Sequence, residues 1–138
     1  MRGLVEAAGL QDRIHVESAG TADYHTGKLP DGRAIDAAAR RGIHLKSRAK
    51  QFRAADWERF DYVVAMDGSN WGDLSQIKPP SVDASKLRLL RSFEGEAFAR
   101  APVPDPYYGG PEGFEEVLDL CEVACAALLE YVRREHSL

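Results

Sequence analysis

Cysteine is scarce in this chain of 138 residues: there are two, Cys121 and Cys125. Two are too few for the disulfide framework on which small secreted folds rely. They stand one helical turn apart, and a regular helix does not bring sulfurs at i and i+4 to disulfide geometry, so core packing is their expected role. Long apolar runs are also missing, which excludes a membrane-spanning helix. The opening "MRGLVEAAGL" is too short in its apolar part for a signal peptide, and a cytoplasmic location is expected. Basic charge is not in excess: 18 Lys and Arg stand against 22 Asp and Glu, a net charge of -4. That balance argues against nucleic acid as the partner. His15, His25, His44 and His136 are scattered without metal-ligand spacing, so neither a metal nor a cofactor is expected. Repeats, low-complexity tracts and linkers are absent as well, and residues 1–138 read as a single domain.

What is present is an alternation of strand and helix patterns. "RIHVESAG", Arg13 to Gly20, alternates apolar and polar residues and ends on glycine, as a half-buried strand does. "PDGRAIDAAARRG" predicts a helix capped by Asp31, with Ala34, Ile35 and Ala38 on its inner face and Gly42 at its end. "DYVVAMD", Asp61 to Asp67, is an apolar run between acids and predicts a strand buried on both faces of a parallel sheet. A helix is expected near Asn70 to Gln76, with Asp67 ending the strand or capping it. "KLRLLRSF", Lys86 to Phe93, predicts a further strand. From Pro111 onward, apolar residues recur at Phe114, Val117, Leu118, Cys121, Cys125, Leu128 and Val132, the spacing of a long amphipathic helix. Acids at Glu112, Glu115 and Glu116 and bases at Arg133 and Arg134 match its dipole. The fold class is therefore α/β with a mostly parallel sheet.

In such sheets ligands sit beyond the carboxyl ends of the strands. Three segments leave strands there: "SAGT" (Ser18 to Thr21), "MDGSN" (Met66 to Asn70) and "VPDPYYGG" (Val103 to Gly110). The last holds Asp105 between two prolines, which stiffen the loop and remove donors. Asp105 alone would read as a turn residue. Beside the other two loops it reads as an acid facing a shared crevice with Ser18 and Asp67.

With these loops in order, the chain resembles the low-molecular-weight protein tyrosine phosphatases along essentially its whole length. The resemblance rests on "VESAGT", "ADYHTGKLPDGRA", "KSRAKQF", "DYVVAMDGSN" and above all "VPDPYY". It implies a three-layer α/β fold around a mostly parallel four-stranded sheet, and phosphomonoester hydrolysis through a cysteinyl-phosphate without a metal. It makes Asp105 the general acid that protonates the leaving phenolate. A phenol has a pKa of about 10, so its anion leaves poorly without such help. Tyr107 and Tyr108 would form one wall of the mouth and Tyr24 the other, while Ser18 would support the phosphate loop.

One part of the family pattern has no match. The family's nucleophile lies in a Cys-x5-Arg loop whose backbone amides and arginine hold the phosphate. Here Ala127 stands six residues after Cys121 and Tyr131 six after Cys125. "MRGLVEAAGL" matches the rear half of the family's first helix, ending at Gly9. The expectation is therefore a chain cut off at its front, lacking the central first strand and phosphate loop. It would be inactive by itself, and would accept a phosphotyrosine protein or small aryl phosphate once the front is restored. Two alternatives accompany this reading: an arsenate reductase of the same fold, and a non-catalytic remnant that binds a partner or self-associates.

Overall fold

The computed structural model describes residues 1–22, 26–106 and 110–138. Its first helix, α1 (Arg2–Ala7), buries Val5 and stops at Gly9, whose φ of 71° lies in the left-handed region open to glycine. Helix α2 (Gly32–Ala39) starts where Asp31 accepts a hydrogen bond from the Arg33 N–H, as its sequence predicts. It buries Ala37 and Ala38, and Gly42 follows with φ 74°. Strand β1 (Val63–Ala65) leads into α3 (Gly68–Ile77), and β2 (Leu87–Leu89) follows. Helix α4 (Pro111–His136) closes the chain, with Glu112 in its first turn and Arg133, Arg134 and His136 in its last.

β1 and β2 pair in parallel, Val63 opposite Leu87 and Ala65 opposite Leu89. The pleat sends alternate side chains of β1 to opposite faces, and each face has its own core. Val63 and Ala65 join Trp57, Leu74, Val82 and Leu87. Val64 packs instead on the side of α4, with Leu90, Val103, Ala124, Leu128 and Val132. The apolar run at Asp61–Asp67 thus serves two cores at once, the three-layer arrangement expected of a parallel sheet. Trp57 is wholly buried, with Phe52 edge-on to it at 5.5 Å between ring centroids. On the outer side, Arg41 reaches Glu115, Asp119 and Glu122 at 2.6, 2.9 and 3.3 Å and ties the end of α2 to α4.

The sheet is smaller than the sequence patterns predict. Among the described residues it has two strands, not the four of the resemblance. Arg13–Gly20 forms no strand; its one sheet-like contact is an isolated bridge from Gly20 to Gln51. Alternation favours an extended conformation there, but a ladder needs a neighbouring strand, and among the described residues none pairs with His15 to Ala19. The strand expected over Lys86–Phe93 ends at Leu89, because from Leu90 to Glu94 the chain winds into a 3₁₀ turn whose Ser92 Oγ donates to the Leu89 carbonyl at 2.6 Å. No described helix is long and apolar enough to cross a membrane.

Candidate active site

The loop carrying Asp105 is fastened to the sheet through its backbone. The Val103 N–H donates to the Met66 carbonyl at 2.7 Å, and the Val103 side chain is buried in the α4 core. Met66 is the first residue beyond β1, so this bond sets Asp105, two residues further on and exposed, at the carboxyl end of that strand. At the same strand end Asp67 is the cap of α3: its Oδ1 accepts from the Asn70 N–H at 2.8 Å. Asp67 is therefore occupied structurally, as one of its two expected roles required.

Ser18 is exposed, on the irregular segment that leads to Gly20. Gly20 is held against the neighbouring chain by hydrogen bonds to the Lys50 carbonyl and from the Phe52 N–H, both 2.8 Å. A cleft of about 320 Å³ opens between this segment and β1. Ser18, Thr21, Met66 and Asn70 all border it, so two of the three loops singled out in the sequence meet around one space, and the third is tied to its edge through Met66. Tyr24, Tyr107 and Tyr108 lie outside the described residues.

Beside Ser18 is a charged cluster that sequence patterns do not reveal. Glu17 pairs with Lys50, with His15 at 2.6 Å and with Arg59 at 3.3 Å. The Lys50 ammonium first, and the His15 bond second, lower the Glu17 pKa to about 2. Its partners Lys50 and Arg59 lie 33 and 42 residues away in the chain, a separation across which no local pattern signals a pair. Arg2 adds a second brace: its guanidinium donates to the Val16 carbonyl and to Ser47 Oγ at 2.8 Å. Together these bonds fix the backbone at Val16 and Glu17, just before Ser18.

Neither cysteine has the character of a nucleophile. Both lie on α4 and pack against its core, and burial raises the Cys121 pKa, which keeps it a thiol. Cys125 borders the floor of the cleft, with Leu128 and Val132 beside it.

Comparison with known proteins bears on this arrangement. The family description "Low molecular weight phosphotyrosine protein phosphatase" matches residues 1–138. A low molecular weight protein-tyrosine-phosphatase of Streptomyces coelicolor is 42% identical over 135 residues, which take in 97% of this chain and 82% of that protein. Low molecular weight phosphotyrosine protein phosphatase 2 of Drosophila melanogaster is 41% identical over 134 residues, 96% of this chain and 80% of that one. The crystal structure of a protein tyrosine phosphatase from Entamoeba histolytica superposes with a TM-score of 0.88 at 31% identity, covering 99% of this chain and 85% of its own. These matches run over nearly the whole chain and do not support the expectation of a missing front. Nor do they assign the unmatched share of each relative to either of its ends.

Proposed function

This chain belongs to the low molecular weight phosphotyrosine protein phosphatase family, and on that premise we propose that it serves the hydrolysis of aryl phosphate monoesters, phosphotyrosine in proteins above all, with Asp105 as general acid. The observation that carries this reading is the Val103–Met66 hydrogen bond, which holds the Asp105 loop at the strand end bordering the Ser18 cleft. In the proposed reaction a cysteine thiolate attacks phosphorus and the ester oxygen leaves as Asp105 gives it a proton. Water then hydrolyses the cysteinyl-phosphate, with the same carboxylate taking its proton. Ser18 supports the phosphate loop, and Tyr24, Tyr107 and Tyr108 flank the aromatic leaving group.

The thiolate of this scheme is neither Cys121 nor Cys125, since both belong to the α4 core and neither begins a Cys-x5-Arg sequence. A Cys-x5-Arg nucleophile and phosphate cradle have no counterpart within residues 1–138. No observation favours the arsenate reductase, which needs a relay of further cysteines, or the non-catalytic remnant.

Two measurements test the proposal. The 138-residue polypeptide should not turn over nitrophenyl phosphate above background; turnover that Asp105→Asn abolishes would refute this. In a polypeptide that also carries a family-type Cys-x5-Arg loop, Asp105→Asn should slow the hydrolysis of phenyl phosphates with poor leaving groups by about 10²–10⁴. The loss should shrink as the leaving group becomes more acidic. An equal loss for every leaving group would remove Asp105 from the acid's role.

A further inference from the structure

The charges of this chain are laid out unevenly. Six of its 18 Lys and Arg, and none of its 22 Asp and Glu, fall between Asp36 and Asp56. Arg40 and Arg41 are held by Glu115 of α4, and Lys50 is paired with Glu17. Lys46 and Arg48, in contrast, enter no ion pair among the described residues. Exposure alternates along this stretch: Lys46, Arg48 and Lys50 are exposed, while Leu45, Ser47 and Ala49 between them are half-buried. A further exposed cation, Lys28, is brought alongside. The Ala49 N–H donates to the Lys28 carbonyl at 2.7 Å, and the Arg48 guanidinium donates to the Gly27 carbonyl at 2.9 Å. Lys28 has no acid against it either, since Asp31 is bound by Arg33 at 3.0 Å. The row begins beside the Ser18 segment, because the Gly20 N–H donates to the Lys50 carbonyl at 2.8 Å.

We propose that Lys28, Lys46 and Arg48 form a docking edge for the substrate polypeptide, which takes a short run of Asp and Glu flanking the phosphotyrosine. This rests on the reading of the chain as a phosphotyrosine phosphatase. Three cations without partners, in a chain whose net charge is -4, make a local exception to its field. An acidic stretch is repelled by the rest of the surface and drawn to this row, which orients it. Lys46 to Lys50 can span at most about 14 Å, the reach of four residues, so the matching run is four or five residues long. Exposed charge pairs of this kind act on encounter and choice of partner more than on tight binding. Anionic membranes select for clusters of about four to eight Lys and Arg, more than this row leaves unpaired, and the acidic polypeptide is the better fit.

Binding to the 138-residue chain is the first test. The probe is a fluorescein-labelled peptide, Gly-Glu-Asp-Glu-Asp-Tyr-Gly, beside a control with Gln and Asn in place of the acids. Anisotropy at about 0.01 M salt should show saturable binding of the acidic peptide, tighter than the control by about tenfold or more. Raising the salt to about 0.15 M shortens the Debye length from about 30 to about 8 Å and should weaken that binding. Lys46→Glu with Arg48→Glu should weaken it about tenfold, and Lys46→Glu alone about threefold. The Lys46 side chain makes no hydrogen bond among the described residues, so its replacement leaves the fold intact. Arg134→Glu, the same change of charge on the last turn of α4, should leave binding as it was. Equal binding of the two peptides, failure of both, or equal losses from Lys46→Glu and Arg134→Glu would overturn the proposal. Binding to phosphatidylserine vesicles in place of the peptide would assign the row to a membrane surface and overturn it as well.

The second test uses the polypeptide that also carries a Cys-x5-Arg loop. With tyrosine phosphorylated in both peptides, kcat/KM should favour the acidic one, and Lys46→Glu should remove that preference without changing nitrophenyl phosphate turnover. Turnover of nitrophenyl phosphate with no preference between the peptides would overturn the docking edge alone. Absence of any turnover would refute the phosphatase reading instead, and the binding measurements would still decide the edge.

Discussion

Glu17 illustrates how a single residue can brace a segment of the backbone through charge. Its carboxylate receives bonds from Lys50 and His15 and lies beside Arg59, which together fix the segment leading to Ser18. Because its pKa falls from an ordinary 4.5 to about 2 on folding, the carboxylate stabilises the folded chain fully above pH 4.5. That contribution is lost as the pH falls through about 2. The difference in unfolding temperature between the native chain and Glu17→Gln should therefore be greatest above pH 5 and shrink between 4.5 and 2. A difference independent of pH across that range would mean that Glu17 acts through packing and not through charge. Asp105 is exposed on its loop, two residues beyond the Val103 backbone that anchors the loop to Met66.

At the level of elements, the chain depends on its helix ends. Helix α3 begins at the carboxyl end of β1, and Asp67 holds its first turn through the Asn70 N–H, while Asn70 Oδ1 faces the Met66 N–H at 3.4 Å. Met66 is also the residue whose carbonyl anchors Val103. Cap, strand end and acid loop are thus bound into one unit. Asp67→Ala should lower stability by about 1 kcal/mol, within the usual 0.5–2 for losing an N-cap, and should loosen the Asp105 loop along with it. Thermal unfolding measures the first effect. Faster hydrogen exchange at the Val103 amide measures the second, and an unchanged exchange rate would show the loop to be independent of the cap.

For the molecule as a whole, β1 is the partition between two cores, and Trp57 is the largest fully buried side chain. Truncating a buried tryptophan to alanine typically costs about 3–5 kcal/mol, against a domain stability of roughly 5–15. Trp57→Ala should accordingly move the urea midpoint sharply downward with little change of slope, and it should remove the support of Phe52 at the cleft. A midpoint within experimental error of the native chain would contradict the central place given to this core.

The sequence by itself was enough for the α/β class, for the parallel pairing implied by the "YVVAM" run, and for α2, α3 and α4 with the caps at Asp31 and Asp67. These follow from local rules: periodicity, capping chemistry and the dihedral freedom of glycine act over a few residues and are written there. It also singled out Ser18, Asp67 and Asp105, because stiff loops at strand ends are marked by proline, glycine and acid. Tertiary structure alone decided where strands end and whether they pair. Arg13–Gly20 has the alternation of a strand and still forms none, because a ladder is a property of two segments and the space beside this one is a cleft. The same reason hides the Glu17–Lys50–Arg59 cluster and the Val103–Met66 bond from sequence patterns: each joins residues distant along the chain, and only folding brings their charges and backbone groups within reach.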